Sequence, residues 1–590
     1  MVDLRALKRA GAGEIKADKI IRNGILVNVA SAEIYPADVA VKGDRIVAIG
    51  DVGHCAGPST ENVDARGRYL CPGLIDGHLH VECSKLSVTG FAKLVVPLGT
   101  TSIVSGLDQI LVVCGLEGVR HFLDEANAGP MKIHWGAPCK TPYTMPRSTV
   151  GHYFSPDDHR TTHEWPECIG VWETVREFVQ EEDADVFEAM EIAAANRLPV
   201  FGCAPMCRGH KLASYASTGI RADHESYTVD EALEKLRNGI FMIVRESSIS
   251  HFLEENIQLA TRFAPNAAHR ISFCTDDVVA TDVLARGHVD NMVRMAIEAG
   301  VEPMTAIQMA TVNSAVAYRI DHNVGLIAPG RLADILFVDD PARFNVLEVM
   351  ANGEMVAERG EMIVEFEPPA RPAYLTGSFK VDPVRADELK VRTDLRAERV
   401  RVLSMAMSEE VPFVRKRREA VIEVHGAVVP PDVDQDVLYV SVVERYGKTS
   451  NRPVAFVSGF GLKAGAIATS TAPDDNNIVC IGTNSDDMAV AINTIIDAGG
   501  GQIVVRDGTV MEFLELPIGG IVSDIDPQEM AVLEDRLDDA ARALGCKLPW
   551  PFMYMFVLCI TAIPDYAITD LGAVDCTTLE TFSPVLSAAD

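Results

Sequence analysis

Two histidines one residue apart, His78 and His80, end the short apolar run Cys71-Pro72-Gly73-Leu74-Ile75-Asp76-Gly77. If that run is a strand, side chains two apart face the same side and both imidazoles point at one spot. Zn, Fe and Mn accept such nitrogen ligands. Further candidate ligands follow later apolar runs: Glu173 after Ile169-Gly170-Val171-Trp172, His224 before Glu225, and Asp276-Asp277 after Phe273-Cys274-Thr275. The expected arrangement has His78, His80 and Asp276 holding one metal, with Glu173 and His224 completing it or sharing a second. Such a metal lowers the pKa of bound water toward ~7, so hydroxide is present at neutral pH. Asp276, after the last apolar run, could both bind such a metal and act as a general base toward its water. Glu82 and Glu225 are both candidates for a general acid beside the metal, and residue type does not choose between them. Arg245 is placed equally well to bind substrate and to form a salt bridge in the mouth of the site.

The elements that must position these residues follow from apolar patterning. Residues 15–70 alternate and turn at Asn23-Gly24 and Gly43-Asp44, as β hairpins do. Eight strand candidates then begin near Leu70, Ser102, Met131, Ile169, Leu198, Ile220, Phe241 and Arg270, separated by amphipathic segments. That pattern predicts an α/β chain with a (β/α)8 barrel over 71–324, whose strand ends converge at one mouth. Residues 325–368 return to short strands and are expected to join 15–70 in a composite β-sandwich. Pro368, Pro369 and Pro372 mark a linker. Residues 375–590 read as a further α/β domain, with Asp526 capping a helix that has Pro527 at its first position. Met488, Ile492, Ile495 and Ile496 form a helical core stripe.

Composition narrows the partners. Lys+Arg 53 against Asp+Glu 84 leaves a net charge of −31, which repels phosphate backbones and anionic membranes, so neither nucleic acid nor membrane is expected. The apolar run Met553 to Ile563 is too short to span a bilayer and suits either a subunit interface, hence a homo-oligomer, or a core strand. An odd number of cysteines, 13, without a disulfide-like spacing suggests reduced thiols and a cytoplasmic setting. His152, His159 and His163 fall in a loop rich in Asp, Pro and Thr, read as solvated and as a cover for the pocket.

The stretches Pro72 to Glu82, Gly219 to Glu225, Cys274 to Asp277 and Gly325 to Asp334 resemble the adenine deaminases of the amidohydrolase superfamily. The likeness continues through Gly459 to Ala468 and Gly482-Thr483-Asn484, and so covers nearly the whole chain. It implies metal-dependent conversion of adenine, or a related amino-substituted heterocycle, to the oxo product and ammonia. The cofactor implied is a divalent metal, Mn, Fe or Zn, one or two per chain, with Glu173 as a bridging ligand. Three stretches depart from the family pattern. Asp108-Gln109 replaces a His-Glu pair and is expected to contact substrate. Cys203, in Gly202-Cys203-Ala204-Pro205, replaces a metal-binding His. Ala472 to Asn477 lacks two histidines. Cys203 could ligate as thiolate, could be a small buried residue beside a single-metal site, or could be replaced by His210; the single-metal site is the favoured expectation. Two other functions stay open: an amidohydrolase that opens a cyclic amide or cleaves an amide, and a non-catalytic homologue.

Overall fold

The computed structural model describes residues 3–408, 414–563 and 565–589. Eight parallel strands form the barrel: Leu74–Asp76 (β1), Thr100–Ser105 (β2), Lys132–Pro138 (β3), Cys168–Val175 (β4), Val200–Cys203 (β5), Ile220–Asp223 (β6), Phe241–Arg245 (β7) and Ile271–Cys274 (β8). Every residue of β2, β7 and β8 is buried, as expected of strands covered on both faces. The barrel closes where β8 meets the segment after β1. Gly77 N–H donates to Phe273 O at 3.0 Å, Asp276 N–H to His78 O at 2.9 Å, and His80 N–H to Asp276 O at 3.2 Å. Gly77 is required there, because a Cβ would stand 2.8 Å from the Phe273 carbonyl oxygen. Ile75, Val104, Trp172, Phe201, Ile243 and Cys274 belong to one buried apolar cluster beneath the mouth.

The strand expected near Leu70 is not the first of the barrel. Tyr69–Pro72 pairs in parallel with Lys19–Asn28 and antiparallel with Ile335–Val338, in a nine-stranded sheet that joins the two flanking segments. The chain changes sheets at Pro72-Gly73. Gly73 N–H bonds Asp334 O at 3.0 Å, and a Cβ on Gly73 would collide with Thr101.

A second nine-stranded sheet, between Arg399 and Ala589, carries the C-terminal part. Helix Ser485–Ala498 packs on it through Met488, Ile492 and Ile495, all fully buried. Helix Pro527–Ala543 is capped by Asp526, whose carboxylate accepts from Gln528 N–H at 3.1 Å. The apolar run after Pro551 is not a strand. It forms helix Pro551–Phe556 and a following turn, and Met553, Phe556, Val557 and Cys559 are buried within this same chain rather than offered to a partner. Among the described residues, no helix is long and apolar enough to cross a membrane.

Candidate active site

Asp76, the last residue of β1, begins the construction. Its carboxylate accepts from His78 N–H and from Thr275 N–H, each at 3.1 Å, and from the Thr275 hydroxyl at 2.6 Å. The ends of the first and last strands are thereby locked together, and His78 and Asp276 are aimed from fixed backbone. Buried His288 supports the lock, lying 3.2 Å from Asp76 and 2.9 Å from Thr100.

Around that frame the candidate ligands converge. His78 Nε2 stands 3.3 Å from Glu173 Oε2, and His224 Nε2 stands 3.8 Å from Glu173 Oε1. Glu173 therefore faces both histidines at once. Its φ is +49°, and that of Asp276 is +60°. Both are left-handed conformations that non-glycine residues adopt at a cost, here turning a carboxylate out of a strand end and into the mouth. The His78 ring lies between Trp172, centroids 4.0 Å apart, and His224, 3.6 Å apart. Donor atoms of His78, His224 and Asp276 fall within 4.8 Å of one another, and so do those of His78, His80 and Glu173, and of Glu173, Cys203 and His224. The structure thus places Cys203, at the end of β5, inside the cluster. His210 is exposed on helix Gly209–Ser217 and takes no part.

The electrostatics suit a cation. Burial, then the neighbouring His224, His80 and Arg245, holds His78 well below the usual imidazole range, leaving it neutral. Burial likewise brings His224 down to about 4. For His80, burial opposes protonation, but the hydrogen bond and charge of Asp108 and the charges of Asp277 and Asp276 outweigh it and push the imidazole up. Burial also works against ionising Asp276, yet Arg245, His224 and His80 hold its carboxyl below the usual range. Arg245 Nη1 reaches Asp276 Oδ2 and Glu225 Oε1, both at 2.5 Å. Its contacts inside the mouth are therefore to these two carboxylates. Burial pushes Glu225 up to about 7, against the pull of Arg245.

The expected substrate and acid residues divide. Asp108 opens helix Asp108–Ala128 (α1); its carboxylate accepts from the Tyr143 hydroxyl at 3.0 Å and stands 3.1 Å from His80 Nδ1. Gln109 donates to Cys83 Sγ at 3.4 Å and accepts from the Thr471 hydroxyl at 3.2 Å. Both line the cavity, as do Glu225 and Arg245. Glu82 does not: it lies buried under the start of α1, accepting from Ile110 N–H at 3.3 Å. The loop after β3 meets the cavity through Tyr143, though not through its histidines. His159 is fully buried, 3.3 Å from the Cys139 carbonyl and 3.2 Å from His163, and none of the three histidines reaches the cavity.

The C-terminal part completes the cover of the mouth. Pro473, Asp474, Val557, Ile560, Ala562 and Ile563 close a cavity of about 150 Å³ over the ligand cluster. A second space of about 350 Å³, sharing Tyr143, Val175, Pro205, Tyr227 and Ala562, lies beside it. The apolar run after Pro551 was visible in the sequence, but nothing local says that it turns toward a site roughly 280 to 480 residues earlier in the chain. Tyr143 carried no signal at all.

This combination, a ligand-bearing barrel mouth closed by a C-terminal sheet domain, is what the comparisons recognise. The amidohydrolase family model matches residues 69–356, and the adenine deaminase C-terminal domain model matches residues 413–580. Adenine deaminase 4 of Rhizobium meliloti is 62% identical over 99% of this chain and 98% of its own length. The chain belongs to the adenine deaminase family. Adenine deaminase 1 of Desulfotalea psychrophila is 55% identical over the same shares of the two chains. Among solved structures, a β-aspartyl dipeptidase from Fervidobacterium islandicum is similar at 18% identity and a TM-score of 0.46, over 59% of this chain and 99% of its own. Membership makes the departures at Asp108-Gln109, Cys203 and Ala472 to Asn477 features of a member of the family.

Proposed function

We propose that this pocket hydrolyses adenine to hypoxanthine and ammonia. The carrying observation is the gathering of His78, His80, Glu173, Cys203, His224 and Asp276 in overlapping groups of three whose donor atoms lie within 4.8 Å of one another, beneath a cover that matches the adenine deaminase C-terminal domain. The donor set fits divalent metal. His78 Nε2 and Glu173 Oε2 are both sealed from solvent without a hydrogen-bond partner, and they face each other at 3.3 Å. Leaving two such groups unpaired is costly unless a cation lies between them. His78, His80 and Asp276 would hold one metal, Cys203 and His224 a second, and Glu173 would be shared. The pairing of Glu173 with both histidines supports two metals over the single-metal expectation. A thiolate in the second set favours Zn or Fe over Mn.

Metal bound here supplies Lewis acidity and an acidified water as nucleophile. The chain's own residues do the rest. Asp276, held ionised by Arg245, takes a proton from the attacking water. Glu225, near neutrality in its pKa and steered by the same arginine, gives a proton to the ring nitrogen next to the reacting carbon, which gains charge on attack. Once the carbon–oxygen bond has formed, Asp276 passes its proton to the amino group, the carbon–nitrogen bond breaks and ammonia leaves, and the new hydroxyl returns its proton to Glu225 to give the oxo product. Tyr143 and His80 orient Asp108 in the wall, and Val557, Ile560 and Ile563 keep bulk water out of the cavity.

The test is ammonia release from adenine, followed together with the ultraviolet change of the purine. The expected kcat/KM lies above about 10⁵ M⁻¹s⁻¹, inside the ordinary enzyme range. Turnover of cyclic amides without ammonia, and none of adenine, would overturn this reading.

A further inference from the structure

The loop from Ser470 to Asn477 descends from the C-terminal sheet into the barrel mouth, and nearly all of its polar side chains hold it there. The Ser470 hydroxyl donates to Gly520 O at 2.6 Å, and that of Thr471 donates to Gln109 Oε1 at 3.2 Å. Asn476 Oδ1 accepts from Ala472 N–H at 3.3 Å, Asp475 Oδ1 accepts from Asn477 N–H at 3.1 Å, and Asn477 Nδ2 donates to Thr149 O at 3.1 Å. Asp474 differs. Asp475 Oδ2 and Asn476 Nδ2 are, like Asp474 Oδ2, sealed from solvent without a hydrogen-bond partner, but of the three residues Asp474 is the one that lines the cavity.

Resting on the adenine deaminase reading above, we infer that Asp474 determines specificity by hydrogen-bonding a ring-nitrogen edge of the bound purine. The C-terminal domain would then read the base that the barrel deaminates. A carboxyl group this enclosed and unpaired is costly until a ligand satisfies it. The groups facing it are Asp475, Asp108 and Asp277, all acidic, and His80. In its protonated form the carboxyl offers a hydroxyl donor and a carbonyl acceptor side by side. A purine edge presents nitrogen acceptors and N–H donors at matching spacing. A site built to pair with such an edge rejects a ligand that lacks it.

The experiment uses the full metal-loaded chain, with Asp474→Ala and Asp474→Asn, adenine as substrate, and 1-, 3- and 7-deazaadenine as competitive inhibitors. Asp474→Ala is expected to lower kcat/KM for adenine by about 100-fold, with metal content and melting temperature unchanged. Asp474→Asn should stay within about 10-fold of wild type, because a carboxamide also carries a donor beside an acceptor. One deaza analogue, lacking the nitrogen that Asp474 reads, should bind wild type and Asp474→Ala with equal affinity. Three results would each overturn the inference alone: an Asp474→Ala variant within about 3-fold of wild type, equal loss of affinity for all three analogues, or Asp474→Asn as impaired as Asp474→Ala. A wild-type protein that releases no ammonia from adenine overturns the functional reading, and this inference with it.

Discussion

Asp276 holds the most demanding position in the site. Its left-handed backbone, the 2.5 Å contact from Arg245 and its place in the donor cluster assign it both a ligand and a proton-transfer role. Asp276→Asn is expected to cut turnover by about 10³-fold or more, since both roles are lost together. Asp277, which accepts from Cys83 Sγ at 3.0 Å, should tolerate the same change far better. Retention of more than about a tenth of wild-type activity by Asp276→Asn would remove it from the mechanism. Cys203 offers a sharper test of the metal count. If its thiolate closes a second set with Glu173 and His224, metal analysis should give two per chain in wild type and one in Cys203→Ser. One per chain in both proteins would return the site to the single-metal form.

At the scale of elements, the turn that carries His224 and Glu225 depends on a buried lysine. Helix Val229–Arg237 (α2) places Lys235 fully inside, with Nζ 2.8 Å from Asp223 and 3.0 Å from Glu231. Lys235 also donates to the Glu225 carbonyl, while Asp223 accepts from Glu225 N–H at 3.0 Å. Removing one member of a buried ion pair strands the others, so Lys235→Met should cost roughly 3–5 kcal/mol, read from the urea midpoint, and should lower kcat as the turn loosens. Helix Pro527–Ala543 (α3) gives a pH-dependent counterpart. Burial pushes Asp538 up to about 7 from an ordinary 3.8. The folded state therefore binds this proton more tightly than the unfolded one. The associated stability is complete below about pH 4 and disappears as pH rises through about 7. Asp538→Asn should match wild type near pH 4 and exceed it increasingly up to pH 8. A stability difference that does not change with pH would contradict the assignment.

For the whole molecule, the ligand cluster joins strand ends that are far apart in sequence, so metal binding and folding are coupled. A metal held only by the folded chain stabilises it by about 4 kcal/mol at a free concentration a thousandfold above its Kd. Chelation should lower the melting temperature by several degrees, and readdition of Zn or Fe should restore it. An unchanged melting temperature after verified metal removal would mean that the cluster is not a folding-coupled site.

Local pattern was enough for the barrel. Apolar runs at strand spacing, His78-x-His80 and Asp276 after the last run all reflect short-range rules of which face a side chain takes. Cys203 stood out only against the family pattern, which has a metal-binding His at that place. Three features needed tertiary structure. Tyr69–Pro72 reads as the first barrel strand but belongs to the flanking sheet, because Gly73 lets the chain cross between two close-packed layers. Glu82 and Glu225 are alike by type, and only the position of α1 buries one while leaving the other in the wall. The cover over the site, Asp474 and the turn after Pro551, comes from a different sheet. Periodicity along a chain records which side of an element is buried, but contacts between domains hundreds of residues apart leave no such record, and here those contacts shape the substrate pocket.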